Sequence, residues 1–415
     1  MLRGVRAAGQ LVYKGAMGHN LSATRMAVVA VAVSAAAITG MVQAQQRAGV
    51  SPRYRVDPFW PKPLPNKWSM QQIVDIYVDR DDHIWMINRR VDARPDELTA
   101  ATTPPRGECC VLGPEVIEFD PDGNVVNAWG GPGYHAGWPG RLQTIAVDRQ
   151  KNVYLSGTTP GDSIIEFTRD GKFVRDFGHR GPKVPADQVK PDNQQTAIFP
   201  PGIGSFELDE DAREIFVADG FLNKRILVYD MDTGAFKRGW GGHGITLSEI
   251  DNSPTPDYDI AGAPPDQMQF APALHCVHFS RDGLVYVCER GSDRVQVFTK
   301  QGKFIRQWFV HPSTQSRGPN CGGPWSTTAA PCGTVYHLAL SADPQQRYVF
   351  IADGTNNMVW IYNRNDGTLA GSFGGNGRYA GQLHWIDAVA VDSKGNVYTG
   401  EVEDGKRIQK FVPVN

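Results

Sequence analysis

Apolar and polar residues alternate with a period of two in short runs along most of the chain, and turns containing Gly, Asn and Asp break the runs. Near the C-terminus, Ala388-Val389-Ala390-Val391-Asp392 leads into the turn Ser393-Lys394-Gly395-Asn396. A second run follows over 397–401, then a turn at Glu403-Asp404-Gly405 and a third run over 407–411. Such a pattern predicts successive antiparallel hairpins. It is written six times; the other copies open at residues 74–79, 143–148, 204–209, 275–279 and 336–340. One copy cannot bury its own apolar face, so the copies must pack on one another.

Copies one to five continue into a fourth strand after a Gly-containing turn, as at Asp122-Gly123-Asn124 and Asp170-Gly171-Lys172. The sixth copy has none, and residues 53–57 (Arg-Tyr-Arg-Val-Asp) are expected to supply it from the other end of the chain. Closing the ring this way leaves only short, protected sheet edges. The fold predicted is all-β, a six-bladed β-propeller closed by an N-terminal strand. No long apolar stripe of period 3.6 lies outside the N-terminal region, which disfavours an α/β fold.

Charge and composition narrow the function classes. The chain has 415 residues and a formal net charge of -2, with 45 Gly and 29 Pro. No basic stripe or acidic tail points to nucleic acid or a basic partner. Arg3, Arg6, Lys14 and Arg25 precede an apolar run over 26–40, and Val42-Gln43-Ala44 offers small residues for cleavage. We read 1–44 as a secretory signal peptide and 45–415 as one domain, secreted or periplasmic, with no membrane span after cleavage. Six cysteines fit an oxidising compartment. Cys321 and Cys332 are expected to staple a Gly/Pro-rich insert. Cys276 and Cys288 either pair or remain buried thiols. For the adjacent Cys109 and Cys110, partners elsewhere or free thiols are expected, because a bond between neighbours is strained. Neither a CxxC motif nor a His pair at ligand spacing marks a structural zinc site.

Candidate chemistry lies at the channel. The residue entering each inner strand is expected near the channel mouth: Val74, Gln143, Gly204, His275, Tyr336 and Asp387. Gln143, His275 and Asp387 come from alternate blades, so they would meet around the axis as N and O donors for a divalent cation, zinc or calcium. Long loops over 91–113, 182–202, 242–270 and 310–333 are expected to roof one face and to carry function. Asp79, Asp148, Asp209 and Asp392 recur in the repeats and are expected to cap turns. Trp129, Trp240 and Trp308 are expected between blades. His278 and His337 alternate away from the entry position, which assigns them to packing between blades.

The phrases Ala-Val-Asp, Gly-Asn-Val-Tyr, Ala-Asp-Gly and Arg-Ile-x-Val-Phe resemble NHL repeats, and Asp353-Gly354-Thr355-Asn356-Asn357 and Arg407-Ile408-Gln409-Lys410-Phe411 resemble the bacterial group of these propellers. The order of copies resembles the peptidyl-α-hydroxyglycine α-amidating lyase family. In that family three histidines hold zinc, and a tyrosine and an arginine complete the site. The resemblance puts His275 on one histidine position and Gln143 and Asp387 on the other two. Arg89 falls on the catalytic arginine and Phe221 on the tyrosine. A calcium site formed by backbone and an aspartate is similar at Ile76 and Ile145, with Ala388 in place of the aspartate. A neutral amide ligates zinc poorly, and Phe221 has no hydroxyl for general acid or base work. The expectation is therefore a propeller that binds a small molecule, peptide or protein at its loop face without lyase activity. The alternative is a metal-dependent lyase with an altered centre, in which Arg89 is catalytic; Arg89 could otherwise form a structural ion pair with Asp75.

Overall fold

The computed structural model describes residues 52–199, 202–262, 267–321 and 331–414. The leader expected over 1–44 lies outside them. Six four-stranded antiparallel sheets follow one another along the chain, each a blade. Their inner strands are Gln72–Val78, Leu142–Val147, Ile203–Asp209, Leu274–Phe279, His337–Leu340 and Ile386–Val391. Each inner strand touches the next, and the sixth touches the first, so the ring is closed. The fold is a six-bladed β-propeller. As the alternation implied, the strand Arg53–Asp57 completes blade six by pairing antiparallel with Ile408–Val414, from Arg53 opposite Val414 to Asp57 opposite Lys410.

Blade faces meet in apolar layers. Trp85, Val116, Leu142, Val153 and Phe167 share one layer between blades one and two; Val295, Trp308, Leu338 and Ile351 share another between blades four and five. Trp129 reaches across to the next blade and donates its Nε1 hydrogen to the Arg169 carbonyl at 2.9 Å. Trp240 packs on Phe298 at 5.9 Å. The recurring aspartates cap the turns after the inner strands, each through one carboxylate oxygen. Asp148 accepts the N–H groups of Gln150 and Asn152 at 2.9 and 2.7 Å, and Asp392 accepts those of Lys394 and Asn396 at 3.0 and 2.8 Å.

Inner strands begin with an irregularity that the alternation does not announce. In blade two Leu142 opposes Gly157 and Thr144 opposes Ser156, which leaves Gln143 as an extra residue. The same β-bulge singles out Gly204, His275 and Asp387. A bulge residue lies outside the ladder and its side chain is re-aimed, here toward the axis. At Gly204 a Cβ would lie 2.0 Å from the Leu274 carbonyl oxygen, so this position admits only glycine.

Disulfides join Cys321 to Cys332, Cys276 to Cys288, and Cys109 to Cys110. The first was expected and the second resolves an open alternative. The third corrects the expectation that the adjacent cysteines find other partners or stay free. Among the described residues no helix is long and apolar enough to cross a membrane. Three disulfides are consistent with an oxidising, extracellular or periplasmic setting.

Candidate functional site

At the mouth where the inner strands begin, a cavity of about 550 Å³ brings together Arg89, Gln143, His275 and Asp387. The structure therefore gathers all four residues singled out in the sequence. Tyr336 also lines the cavity. Val74 does not: it packs into the layer between blades one and two. The loop over 310–333 forms part of the wall through Ser316, Arg317 and the Cys321–Cys332 bridge. It is tied to the loop over 242–270, because Tyr258 donates its hydroxyl to the Pro312 carbonyl at 2.7 Å and Gln315 donates to the Tyr258 carbonyl at 2.8 Å.

Arg89 ends the second strand of blade one, Ile84–Arg89, which returns beside the start of the inner strand. Its guanidinium is buried and held by Asp92 at 2.6 Å, by the side-chain carbonyl oxygens of Gln72 at 2.7 Å and Gln143 at 3.2 Å, and by the Leu142 carbonyl at 3.3 Å. Burial, then the nearby Arg141, pushes its pKa down to about 10, so it stays charged at neutral pH. The ion pair with Asp75 weighed from the sequence is not formed. Asp92 pairs with Arg89, and Asp75 instead faces His337.

Gln143 has only its side-chain oxygen to offer a cation, and that oxygen accepts from Arg89. Its other side-chain group is an N–H donor. His275 interacts with the Tyr336 backbone, and its Nε2 lies 3.9 Å from Asp387 Oδ1. His275 is nearly fully buried, between the edge of Phe221 at 5.2 Å and Tyr336 at 5.4 Å. Burial, reinforced by Arg290, holds its pKa well below that of an ordinary imidazole, so the ring is neutral. Phe221 is an apolar wall here.

Asp387 is only 6% exposed. Among the described residues it accepts no hydrogen bond, and its one ion-pair contact is the 3.9 Å to His275. Burial pushes its pKa up to about 6, against the opposing pull of Arg89 and Arg290. Glu403, also buried, is pushed up by burial to about 7. A buried polar group without a partner is costly.

Sequence reasoning missed Arg141, Arg290 and Arg317. Arg141 shares Asp92 with Arg89, at 2.9 Å. Arg290 stacks its guanidinium over the Tyr336 ring at 4.8 Å and, among the described residues, forms no ion pair. Arg317 donates to the Gly291 and Pro256 carbonyls and, among the described residues, meets no carboxylate. A signal for Arg290 existed: it directly follows the second strand of blade four, Leu284–Glu289, as Arg89 ends that of blade one. The cavity thus carries four arginines against two carboxylates.

At the opposite mouth a second cavity of about 360 Å³ is lined by His278, His337, Glu207 and Tyr77. This corrects the assignment of His278 and His337 to packing between blades. The paired ladder of blade five begins only at His337, which leaves the entry residue Tyr336 outside it, so alternation counted from Tyr336 does not set the facing of His337. His278 pairs with Glu207 at 2.8 Å, and His337 with Asp75 at 3.3 Å. Burial disfavours the charged form of His337, but the Asp75 contact outweighs it and raises the pKa.

Among the described residues one trio of carboxylate and imidazole donors lies within 4.8 Å of one another: Asp79, His83 and Glu118. Arg169 contacts Glu118 at 2.9 Å and Lys151 contacts Asp79 at 3.5 Å. The trio is already balanced by these cations and is a blade-to-blade ion network.

No family model and no curated protein matches the chain. Solved structures match its fold. A protein of unknown function from Bacteroides thetaiotaomicron is 15% identical with a TM-score of 0.50, covering 83% of this chain and 70% of its own. A protein described as an auxiliary nutrient binding protein, from the same organism, is 10% identical with a TM-score of 0.52, covering 88% and 77%. At these identities the likeness is one of fold.

Proposed function

We propose that the cavity at the inner-strand entry binds a small polar anion that also carries a hydroxyl or amine, without lyase chemistry. The observation that carries this reading is Asp387, a buried carboxyl that among the described residues accepts no hydrogen bond, facing the same cavity as Arg290, an arginine that among the described residues forms no ion pair. A ligand carboxylate or phosphate would satisfy Arg290 and Arg317, and its donor group would satisfy Asp387. Charge-assisted hydrogen bonds of this kind are the strong ones. Phe221, Tyr336 and Trp385 supply the apolar wall usual in such pockets. Nutrient binding is the described role of one fold neighbour; the proposal rests on the cavity. We further propose export through the 1–44 leader, which N-terminal sequencing of the mature protein tests.

The test is calorimetry with small hydroxy acids, amino acids and sugar phosphates, represented by lactate, serine and glycerol 3-phosphate, beside citrate and inorganic phosphate. One or more is expected to bind stoichiometrically, with affinity lost in both Arg290→Gln and Asp387→Asn. Binding that survives both substitutions overturns the proposal, as does a failure of all probes to bind.

A second reading is a cation held by His275 and Asp387, with residual chemistry of the lyase type. The neutral imidazole favours it; the 3.9 Å separation, wider than two tetrahedral zinc ligands adopt, the engaged Gln143 oxygen and Phe221 weigh against it. Elemental analysis of the purified protein beside His275→Ala decides. Stoichiometric metal lost in the variant supports this reading, and an assay on peptidyl-α-hydroxyglycines then follows.

A further inference from the structure

The second cavity holds an arrangement that ordinary packing does not explain. The Nε2 atoms of His278 and His337 face each other at 3.3 Å. Each ring is fixed from its other nitrogen. His337 Nδ1 lies 3.1 Å from the Val389 carbonyl oxygen, which can only accept, so this nitrogen carries the hydrogen. His278 Nδ1 lies 2.8 Å from Glu207 Oε2, and an ionised carboxylate likewise only accepts. Both rings are therefore Nδ1–H tautomers, assigned here from the network. Two neutral rings in this state aim lone pairs at each other, which is repulsive unless a cation lies between them or a proton, which the Asp75 carboxylate at 3.3 Å favours, sits on His337 Nε2.

We propose that His278 and His337 form a binding site for a transition-metal dication of the zinc class, each ligating through Nε2. Zn–N bonds of about 2.0–2.1 Å at a tetrahedral angle put two ligating nitrogens about 3.3–3.4 Å apart, and the observed separation falls there. Ligating histidines characteristically donate their second N–H to a carboxylate or a backbone carbonyl, which fixes tautomer and ring orientation. Glu207 and Val389 hold those two positions. Asp75 Oδ1, 3.3 Å from His337 Nε2, brings compensating negative charge. That carboxylate is itself fixed, accepting the N–H groups of Ile76 and Ile145 at 2.9 Å each. The cavity of about 360 Å³ gives an entry path and room for water to complete the coordination shell. Imidazole donors suit Zn²⁺, Cu²⁺ and Ni²⁺ rather than calcium. This site lies at the opposite mouth from His275 and Asp387 and stands independently of the function proposed above.

The test is titration calorimetry of the protein, stripped with EDTA, using ZnCl₂ alone. One Zn²⁺ per chain is expected, its affinity unchanged in His275→Ala and lowered at least tenfold in His278→Gln and in His337→Gln. Glu207→Gln is expected to lower it about 10–100-fold. A wild-type protein that takes up no stoichiometric Zn²⁺ overturns the proposal and leaves a proton shared between the rings. Binding that disappears in His275→Ala but persists in the His278→Gln/His337→Gln double variant also overturns it. Should the double variant not fold, the visible absorption of the Co²⁺-loaded wild type decides: tetrahedral d–d bands support the site, and their absence rejects it.

Discussion

Asp387 offers a test of the physical reasoning that needs no ligand. Its carboxyl titrates at about 6 in the folded protein against 3.8 ordinarily, because burial outweighs the attraction of Arg89 and Arg290. Between those two pH values the folded state holds a proton that the unfolded state has released. This group's contribution to stability therefore falls as pH rises through that window and stays low above it. A rise from 3.8 to about 6 corresponds to about 3 kcal/mol, at 1.36 kcal/mol per pH unit. Asp387→Asn keeps the shape and removes the charge. The variant should match the wild type near pH 4 and be more stable by up to about 3 kcal/mol at pH 8. With an unfolding entropy of ~2.1 cal/mol/K per residue over roughly 360 residues, that is a rise in Tm of about 4 °C. Urea denaturation at the two pH values measures the difference directly. A variant equal to or weaker than the wild type at pH 8, or a difference that does not change with pH, would refute the account of Asp387 as a carboxyl kept without a partner. Stabilisation accompanied by loss of ligand binding would instead mark a site that sacrifices stability for function.

Other perturbations test the scaffold. Deleting residues 53–57 should expose the edge of the strand Ile408–Val414 and favour association, seen as larger species on size-exclusion chromatography. Trp85, fully buried with its Nε1 donating to Asp79 at 3.1 Å, should cost about 3–5 kcal/mol when replaced by Ala, measured by denaturant unfolding. Replacing Cys321 and Cys332 by Ser opens a link between residues 11 apart and should cost about 3 kcal/mol in the chain-entropy account. The same double variant should weaken ligand binding, because the bridge lines the cavity. Gly204→Ala should prevent folding or strongly lower Tm, since its Cβ would meet the backbone of the next inner strand.

Much of the architecture was legible because it rests on period two. Alternation turns one face of each strand to the core whatever the identity of the apolar residue, so the copies, the turn aspartates and the closing strand at 53–57 could be read without a partner in view. The convergence of Gln143, His275 and Asp387 was legible for the same reason: equivalent positions in equivalent blades meet at the axis. Less was visible where side chains act across the ring. Arg290 reaches the cavity from the end of a second strand, marked only by its equivalence to Arg89, and Arg317 from a long loop that no repeat marks. His278 and His337 were assigned to packing because alternation was counted from the entry residue. In blade four, as in three others, that residue is a bulge, which shifts the count by one, and in blade five it lies outside the paired ladder, which starts at His337. The pairing of Cys109 with Cys110 was missed because the chain-neighbour bond was judged on strain alone.

The pairing of Arg53–Asp57 with Ile408–Val414 also bears on how the molecule is made. Within the ring, the strand made earliest waits for the one made latest, with five whole sheets synthesised in between. Until then blade six lacks its outer strand and the circle cannot lock. Assembly is thus gated by synthesis of the strand Ile408–Val414, so a chain interrupted anywhere before residue 408 would present an open circle to proteases and chaperones.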